Sequence, residues 1–281
     1  MKQRSRAQIR LIVLAFAGLG ALLALLLWQG LRRGSAVRVG IPRTPAAYGA
    51  AMLLQTPSAQ YRCTLGSTAA AVKDALEAGD LDAALLPYEL AQSAAGCRIC
   101  AVAGYDPLLL LTREEEIAGL SDLSGARITL TDALRGTRQE RWLRALLRQA
   151  EVRCELVYGS EGALMICAAE DAEALLRQNA GWRVCLSFAE AWRKALASNP
   201  PAGLCLAVRQ DYLDKAGTDY AAFLRALERS MQYSDEKRKK TSAMAAAAGL
   251  ADSEEMADAL YPWLDYVFLT GEQMEAALNA G

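Results

Sequence analysis

Histidine does not occur anywhere in the 281 residues. That excludes Ser-His-Asp and Cys-His catalysis, imidazole-held zinc or haem, and any switch that depends on imidazole titrating near neutral pH. An excess of one charge is also missing: 31 Lys and Arg stand against 32 Asp and Glu, a net charge of -1. General attraction to a polyanion is therefore absent. No basic groove with interleaved aromatics is found, and nucleic acid is not expected as a partner. No paired-carboxylate motif stands out, so acid–base catalysis has no obvious carrier and the chain does not read as an enzyme. No metal or cofactor is called for.

Apolar residues make up 53% and charged residues 22%, a globular composition long enough for two ordinary domains. Cysteine is the exception to the scarcity. There are 7, an odd number that forbids complete pairing within the chain. Most lie in apolar, strand-like runs, where a small buried hydrophobe is the plain reading. Cys97 and Cys100 form a lone C-x-x-C. In a strand those side chains face opposite ways, which suits neither a redox pair nor a metal.

The N-terminus carries Lys2, Arg4, Arg6 and Arg10, then an uncharged run over 11–28, then Arg32 and Arg33. The run is close to bilayer-spanning length, and the heavier positive charge before it keeps the N-terminus cytoplasmic. The expectation is a basic cytoplasmic segment at 1–10 and a transmembrane anchor or signal peptide at 11–30. The C-terminal domain would then lie outside the cell membrane, extracellular or periplasmic. Small residues at 34–36 make a cleavable signal the competing reading.

The remainder states one pattern twice. Val37 opens VRVGIPRTPAAYGAAMLLQTPSAQYRCTLGS, and Ala126 opens ARITLTDALRGTRQERWLRALLRQAEVRCELVYGS. Each has a β-branched run, a polar turn, a helical stretch and a second strand closing on Arg-Cys and Gly-Ser. Strands are predicted near 37–41, 61–65, 81–86, 99–102, 108–112, 126–130, 151–158, 163–168, 183–188 and 204–209. Helices are predicted near 46–54, 69–78, 138–149 and 171–178, and the chain after 220 reads as wholly helical. Thr270 with Gln273 reads as a capping box for the last helix. Strands alternating with helices imply a mainly parallel α/β sheet, and two copies of the unit imply two lobes with a cleft.

The segments VRVGIPRTPAAYG, ALEAGDLDAALLPYELAQ, GLSDLSGARITLTDALRGTRQERWLRALL, LAVRQDYLDKAGTDYAAFLRALERSMQY and YPWLDYVFLTGEQMEAAL follow in an order that resembles a known family. It is that of the periplasmic-type solute-binding proteins of ABC importers, in the branch of sulfonate, taurine and thiamine-precursor binders. The resemblance implies a type II clamshell: lobe 1 from 37–122 and 204–281, lobe 2 from 123–203. It implies a small anionic or heteroaromatic solute and ABC permease subunits as partners. A diverged sensor or scaffold on the same fold is the alternative.

Carried over residue by residue, ligand contacts fall on Thr44, Pro45, Ser67, Thr68, Tyr88, Glu89, Tyr105, Asp106, Gly136, Thr137 and Ser160. Helix N-termini hold anions through unpaired N–H groups and a partial positive charge. Helix capping alone also explains Thr44, Ser67 and Thr137. Glu170 sits where the family often has an acidic residue, and Arg135 is either an anion contact or a solvated turn residue. One departure is plain. The first Gly66-Ser67 leads into a full helix, whereas Gly159-Ser160 leads almost at once into ALMICAAED. The missing helix is expected to leave apolar surface for a partner to cover.

Overall fold

The run VRVGIP becomes β1 (Val37–Pro42), burying Val37, Val39 and Ile41 on one face. A computed structural model describes residues 36–113, 116–178 and 181–280 of the chain. The basic segment at 1–10 and the expected anchor at 11–30 lie outside the described residues. Among the described residues no helix is long and apolar enough to cross a membrane.

Two mixed sheets organise these residues. The first has six strands in the order β11-β4-β10-β3-β1-β2. Its members are β1, β2 (Tyr61–Gly66), β3 (Ala83–Pro87), β4 (Cys97–Tyr105), β10 (Ala202–Arg209) and β11 (Tyr266–Leu269). The second has five strands in the order β7-β6-β8-β5-β9. It comprises β5 (Leu108–Thr112), β6 (Arg127–Leu130), β7 (Glu155–Tyr158), β8 (Leu164–Ala168) and β9 (Arg183–Ser187). The duplicated unit is visible in the pairing: β1 lies parallel to β2 and β3, as β6 lies parallel to β7 and β8.

The chain changes sheet at Asp106-Pro107, not at 122–123, because the fully buried run of β5 pairs with β8 and β9. It returns through the Phe188–Leu196 helix to β10, antiparallel between β3 and β4. The two crossings are tied together where Asp106 N–H donates to the Pro201 carbonyl at 2.9 Å. The sheets also share a core. Ala169, Ala172, Leu109, Met165 and Cys167 from the second pack in one buried cluster with Val39, Ile41, Ala47 and Tyr48 from the first.

In the first lobe, Thr68 caps the Ala69–Ala78 helix by accepting from Ala71 N at 3.1 Å, and Gly79 ends it at φ +85°. In the second, no helix joins β7 to β8. Residues 159–163 lie on Thr129, whose hydroxyl donates to the Glu161 carbonyl at 2.7 Å. The surface so uncovered is not apolar, which corrects the expectation. The β6 and β7 residues on that face are Arg127, Thr129, Glu155 and Val157, paired across the strands, with Arg127 and Glu155 3.9 Å apart and solvated. Ile128, Leu130, Leu156 and Tyr158 turn the other way, under the Arg138–Gln149 helix. At this β6–β7 end of the sheet alternation turns the apolar residues to the covered side, so no second helix is needed there, whereas β5 and β8 are buried on both faces.

Other expectations shift locally. Residues 46–54 start as a 3-10 turn, Pro45–Ala50, before the helix Ala51–Gln55. Helices Tyr88–Ser93 and Phe188–Leu196 and strand β11 were not predicted. Thr270 is the N-cap of Gly271–Asn279, yet its side chain makes no capping bond, so the capping box does not form. None of the 7 cysteines forms a disulfide. Only Cys167 and Cys205 are buried, and the other five are half-buried. Cys97 and Cys100 lie on β4 and pack into clusters on opposite faces of the sheet.

Candidate functional site

Turns at strand ends bring polar residues of both lobes together in three places: a groove, a hinge and a seam. The groove, of about 460 Å³, is walled on the first lobe by Tyr88, Glu89 and Gln92. On the second lobe Gly136, Thr137, Arg138, Gln139 and Arg141 face them. Tyr88 opens a helix straight after β3, and Thr137 caps the Arg138–Gln149 helix by accepting from Glu140 N at 3.2 Å.

Arg138 is the joint of this groove. Its guanidinium lies 4.0 Å above the centre of the Tyr88 ring. It donates to the carbonyls of Ala202 at 2.9 Å, Ala280 at 2.6 Å and Leu278 at 3.2 Å. A side chain from the second lobe thus satisfies carbonyls of the first, including the end of the C-terminal helix. The N–H groups expected to attract an anion here are already used in part. Glu140 accepts from Gly136 N at 2.7 Å and from Arg144 Nε at 2.7 Å, and also takes the Tyr158 hydroxyl. The Tyr158 hydroxyl chiefly, with Gly136 N–H and Arg144, holds the Glu140 carboxyl down at about 2 against a desolvation effect that opposes them. The groove therefore presents Arg141, Gln92 and Glu89 rather than a bare helix end.

Asp106 and Tyr105 form the hinge. Asp106 is only 3% exposed and accepts from Gln139 Nε2 at 2.7 Å and Trp142 Nε1 at 3.2 Å. Burial pushes its carboxyl up to about 7, beyond what those two donors offset. Tyr105 is buried, its hydroxyl donates to Asn199 Oδ1 at 3.2 Å, and Arg193 lies 5.6 Å from its ring centre. Both residues act between lobes as structure, and neither lines the groove.

Thr44 and Pro45 are buried in the seam. The Thr44 hydroxyl donates to Glu170 of the second lobe while accepting from Ala46 N at 3.3 Å. Beside it Tyr48 donates to Glu173 at 3.4 Å, and Asp252 binds Arg43 and, at 2.5 Å, Arg177. Burial above all raises the Tyr48 phenol, with Glu173 adding to it, and burial raises the Glu173 carboxyl. The acidic Glu170 noted in the sequence therefore occupies the place where a ligand would have met Thr44.

Ser67, Thr68 and Ser160 are exposed and line none of these places. Arg135 is solvated, paired with Asp132 at 2.9 Å and stacked on Tyr158. The structure thus gathers Tyr88, Glu89, Gly136 and Thr137 in one groove, and places the other predicted contacts elsewhere. Sequence reasoning missed Gln92, Arg138, Gln139 and Arg141. One clue was present: a cation in the first turn of a helix opposes the helix dipole, so Arg138 needed another partner.

No protein-family model matches the chain, and neither does any curated protein. Solved structures do. An ABC transporter structure from Parabacteroides distasonis aligns with a TM-score of 0.64 at 13% identity, covering 87% of this chain and 90% of that one. The ligand binding component of an ABC-type import system from Staphylococcus aureus aligns at 0.59 with 15% identity, over 84% and 86%. The periplasmic aliphatic sulphonate binding protein SsuA from Escherichia coli aligns at 0.57 with 16% identity, over 87% and 86%. The two sheets with their double crossing therefore make the two-lobed fold found in periplasmic solute-binding proteins of ABC import systems.

Proposed function

We propose that the protein is the solute-binding component of an ABC importer, held outside the cytoplasm by its N-terminal segment. It captures a small anionic or heteroaromatic solute without transforming it. The observation that carries this reading is the groove of about 460 Å³ between lobes, with Tyr88, Glu89 and Gln92 on one wall and Gly136–Arg141 on the other. That size suits a small metabolite, and the mix of a ring, a carboxylate, an amide and a guanidinium is enough to orient one. Thr44, Pro45, Tyr105 and Asp106 serve as the framework that sets the distance between the walls. A permease would recognise the pair of lobes as one face.

Thermal-shift screening of the full chain in neutral detergent against sulfonates, carboxylates and pyrimidines tests this. A true solute at about a hundred times its Kd stabilises by about 2.7 kcal/mol. Arg141→Ala should weaken that shift for an anion. If no compound moves the midpoint, the second reading stands: a sensor or scaffold that keeps the fold and no longer captures solute. The contact of Thr44 with Glu170 favours that alternative, because the position opposite Thr44 is already filled from within the chain.

A further inference from the structure

The outer edge of the second lobe carries a second groove, which shares Arg141 alone with the groove of the solute reading. Two adjoining cavities share Leu147, Arg148 and Val152: one of about 530 Å³ between the Arg138–Gln149 helix and β7, and one of about 580 Å³ at the helix end and the segment leading into β7. Their floor is Leu147, Val152, Cys154 and Leu156. Their rim is basic: Arg141, Arg144 and Arg148 recur on successive turns of the helix, and Arg153 follows two residues ahead of the strand. All four arginines are exposed. Of them, Arg144 is engaged with Glu140, and Glu151 is the acidic residue in the lining.

Beneath this rim lies an unpaired backbone. β7 is the terminal strand of its sheet and pairs with β6 alone among the described residues. Glu155 N–H donates to the Ala126 carbonyl at 2.9 Å and Gly159 N–H to the Leu130 carbonyl at 3.1 Å. Alternation along the strand then turns the N–H and C=O of Leu156 and Tyr158 to the open side. A free edge, an apolar floor and a row of cations recur together along the length of one short strand.

We infer that this edge docks an extended acidic segment of a partner polypeptide, which adds a strand beside β7. Its backbone pairs with Leu156 and Tyr158, and its carboxylates sit beneath Arg148 and Arg153. Strand addition supplies the affinity through main-chain bonds and the arginines supply the choice of sequence. A second copy of this chain is disfavoured as the occupant, because its own arginines repel those of the first. A lipid surface matches the charge but leaves the strand edge unpaired.

The test uses the full chain in neutral detergent and a short fluorescent peptide alternating Glu and Val. Fluorescence anisotropy should show binding that weakens about tenfold as salt rises from low to physiological strength. The same peptide N-methylated at alternate nitrogens, and the version with Lys for Glu, should not bind. The double substitution R148E/R153E, with an unchanged melting temperature, should weaken binding at least about tenfold. Failure of the acidic peptide to bind overturns the inference. So does equal binding of the N-methylated peptide, a comparison that needs no variant of the protein. Capture by phosphatidylglycerol vesicles with no peptide binding assigns the arginines to lipid instead, and concentration-dependent self-association assigns the edge to a second copy; either result also overturns it.

Discussion

The two lobes start from the same strand, turn and strand, and differ in how they connect the second strand to the third. The first spends residues Ala69–Ala78 on a covering helix, capped by Thr68 and closed by Gly79. The second passes from Tyr158 to Leu164 through a short link that lies on Thr129. What permits this is the pattern of the strands themselves. β6 and β7 place Arg127, Thr129, Glu155 and Val157 on the bare face, so losing the helix exposes polar groups and little that water penalises. A helix can be deleted from a duplicated unit where strand alternation already separates a wet face from a dry one.

A pair of glycine substitutions, one per lobe, breaks the comparison most directly. At Gly162, φ is +156° and an added Cβ would lie 2.5 Å from Thr129 Oγ1 and 3.3 Å from the Leu164 carbonyl. Thr129 cannot turn away without giving up its bond to Glu161. Gly162→Ala should cost about 3 kcal/mol. At Gly79 the added Cβ meets only the far end of the Arg209 side chain, which can shift at the expense of a solvated pair with Asp211, so Gly79→Ala should cost about 1 kcal/mol, mostly from its left-handed backbone. Urea unfolding of both variants reads the difference, and equal costs would mean the short link is not under the constraint described.

The hinge between the lobes should give the next largest effect, through pH. Asp106 has a folded pKa raised to about 7, chiefly by burial, with Glu89 and Arg138 as its charged neighbours and Gln139 and Trp142 as donors. A raised pKa means the folded chain holds a proton the unfolded chain has released. The stability this contributes is complete below about pH 4 and is lost as pH rises through about 7. Melting temperature should fall across that window by the equivalent of a few kcal/mol, and Asp106→Asn should flatten the fall. A wild-type profile without that slope would show that Asp106 is ionised in the fold.

The smallest effect sharpens the picture of the seam. A double-mutant cycle on Thr44→Val and Glu170→Gln should give a coupling of about 1 kcal/mol, because one partly buried hydrogen bond is all that is shared. Additive effects would mean that Glu170 does not hold the Thr44 hydroxyl and would leave Thr44 open to a ligand.

Much of this architecture could be read along the chain, for identifiable reasons. β3, β5 and β10 are apolar runs bounded by Pro, Asp or Thr, and a strand buried on both faces leaves little else to choose. β11 could not be found that way, since four residues beside Pro262 and Trp263 become a strand only when β4 offers an edge. The sheet change at Asp106-Pro107 was misplaced because a turn between two strands looks the same whether the strands share a sheet or not. Half of the groove was legible: Tyr88, Glu89, Gly136 and Thr137 are turn residues at strand and helix ends. Arg138 was not, because the carbonyls of Ala202, Leu278 and Ala280 converge on it only after both lobes are built. Thr44 with Glu170 is likewise a contact between residues far apart in the chain.

The position of β10 has a further consequence for how the molecule is made. The strand lies in the middle of the first sheet, between β3 and β4, although it is synthesised after the whole second lobe. Until Ala202–Arg209 arrives, β3 and β4 lack the strand that hydrogen-bonds to both, so a nascent chain holds a gap in its first sheet while the strands of the second are already made. Assembly must therefore finish late and over long separations, a slow route by loop-closure arguments. A chain that stops ahead of residue 202 would carry every strand of the second sheet and still lack the middle strand of the first.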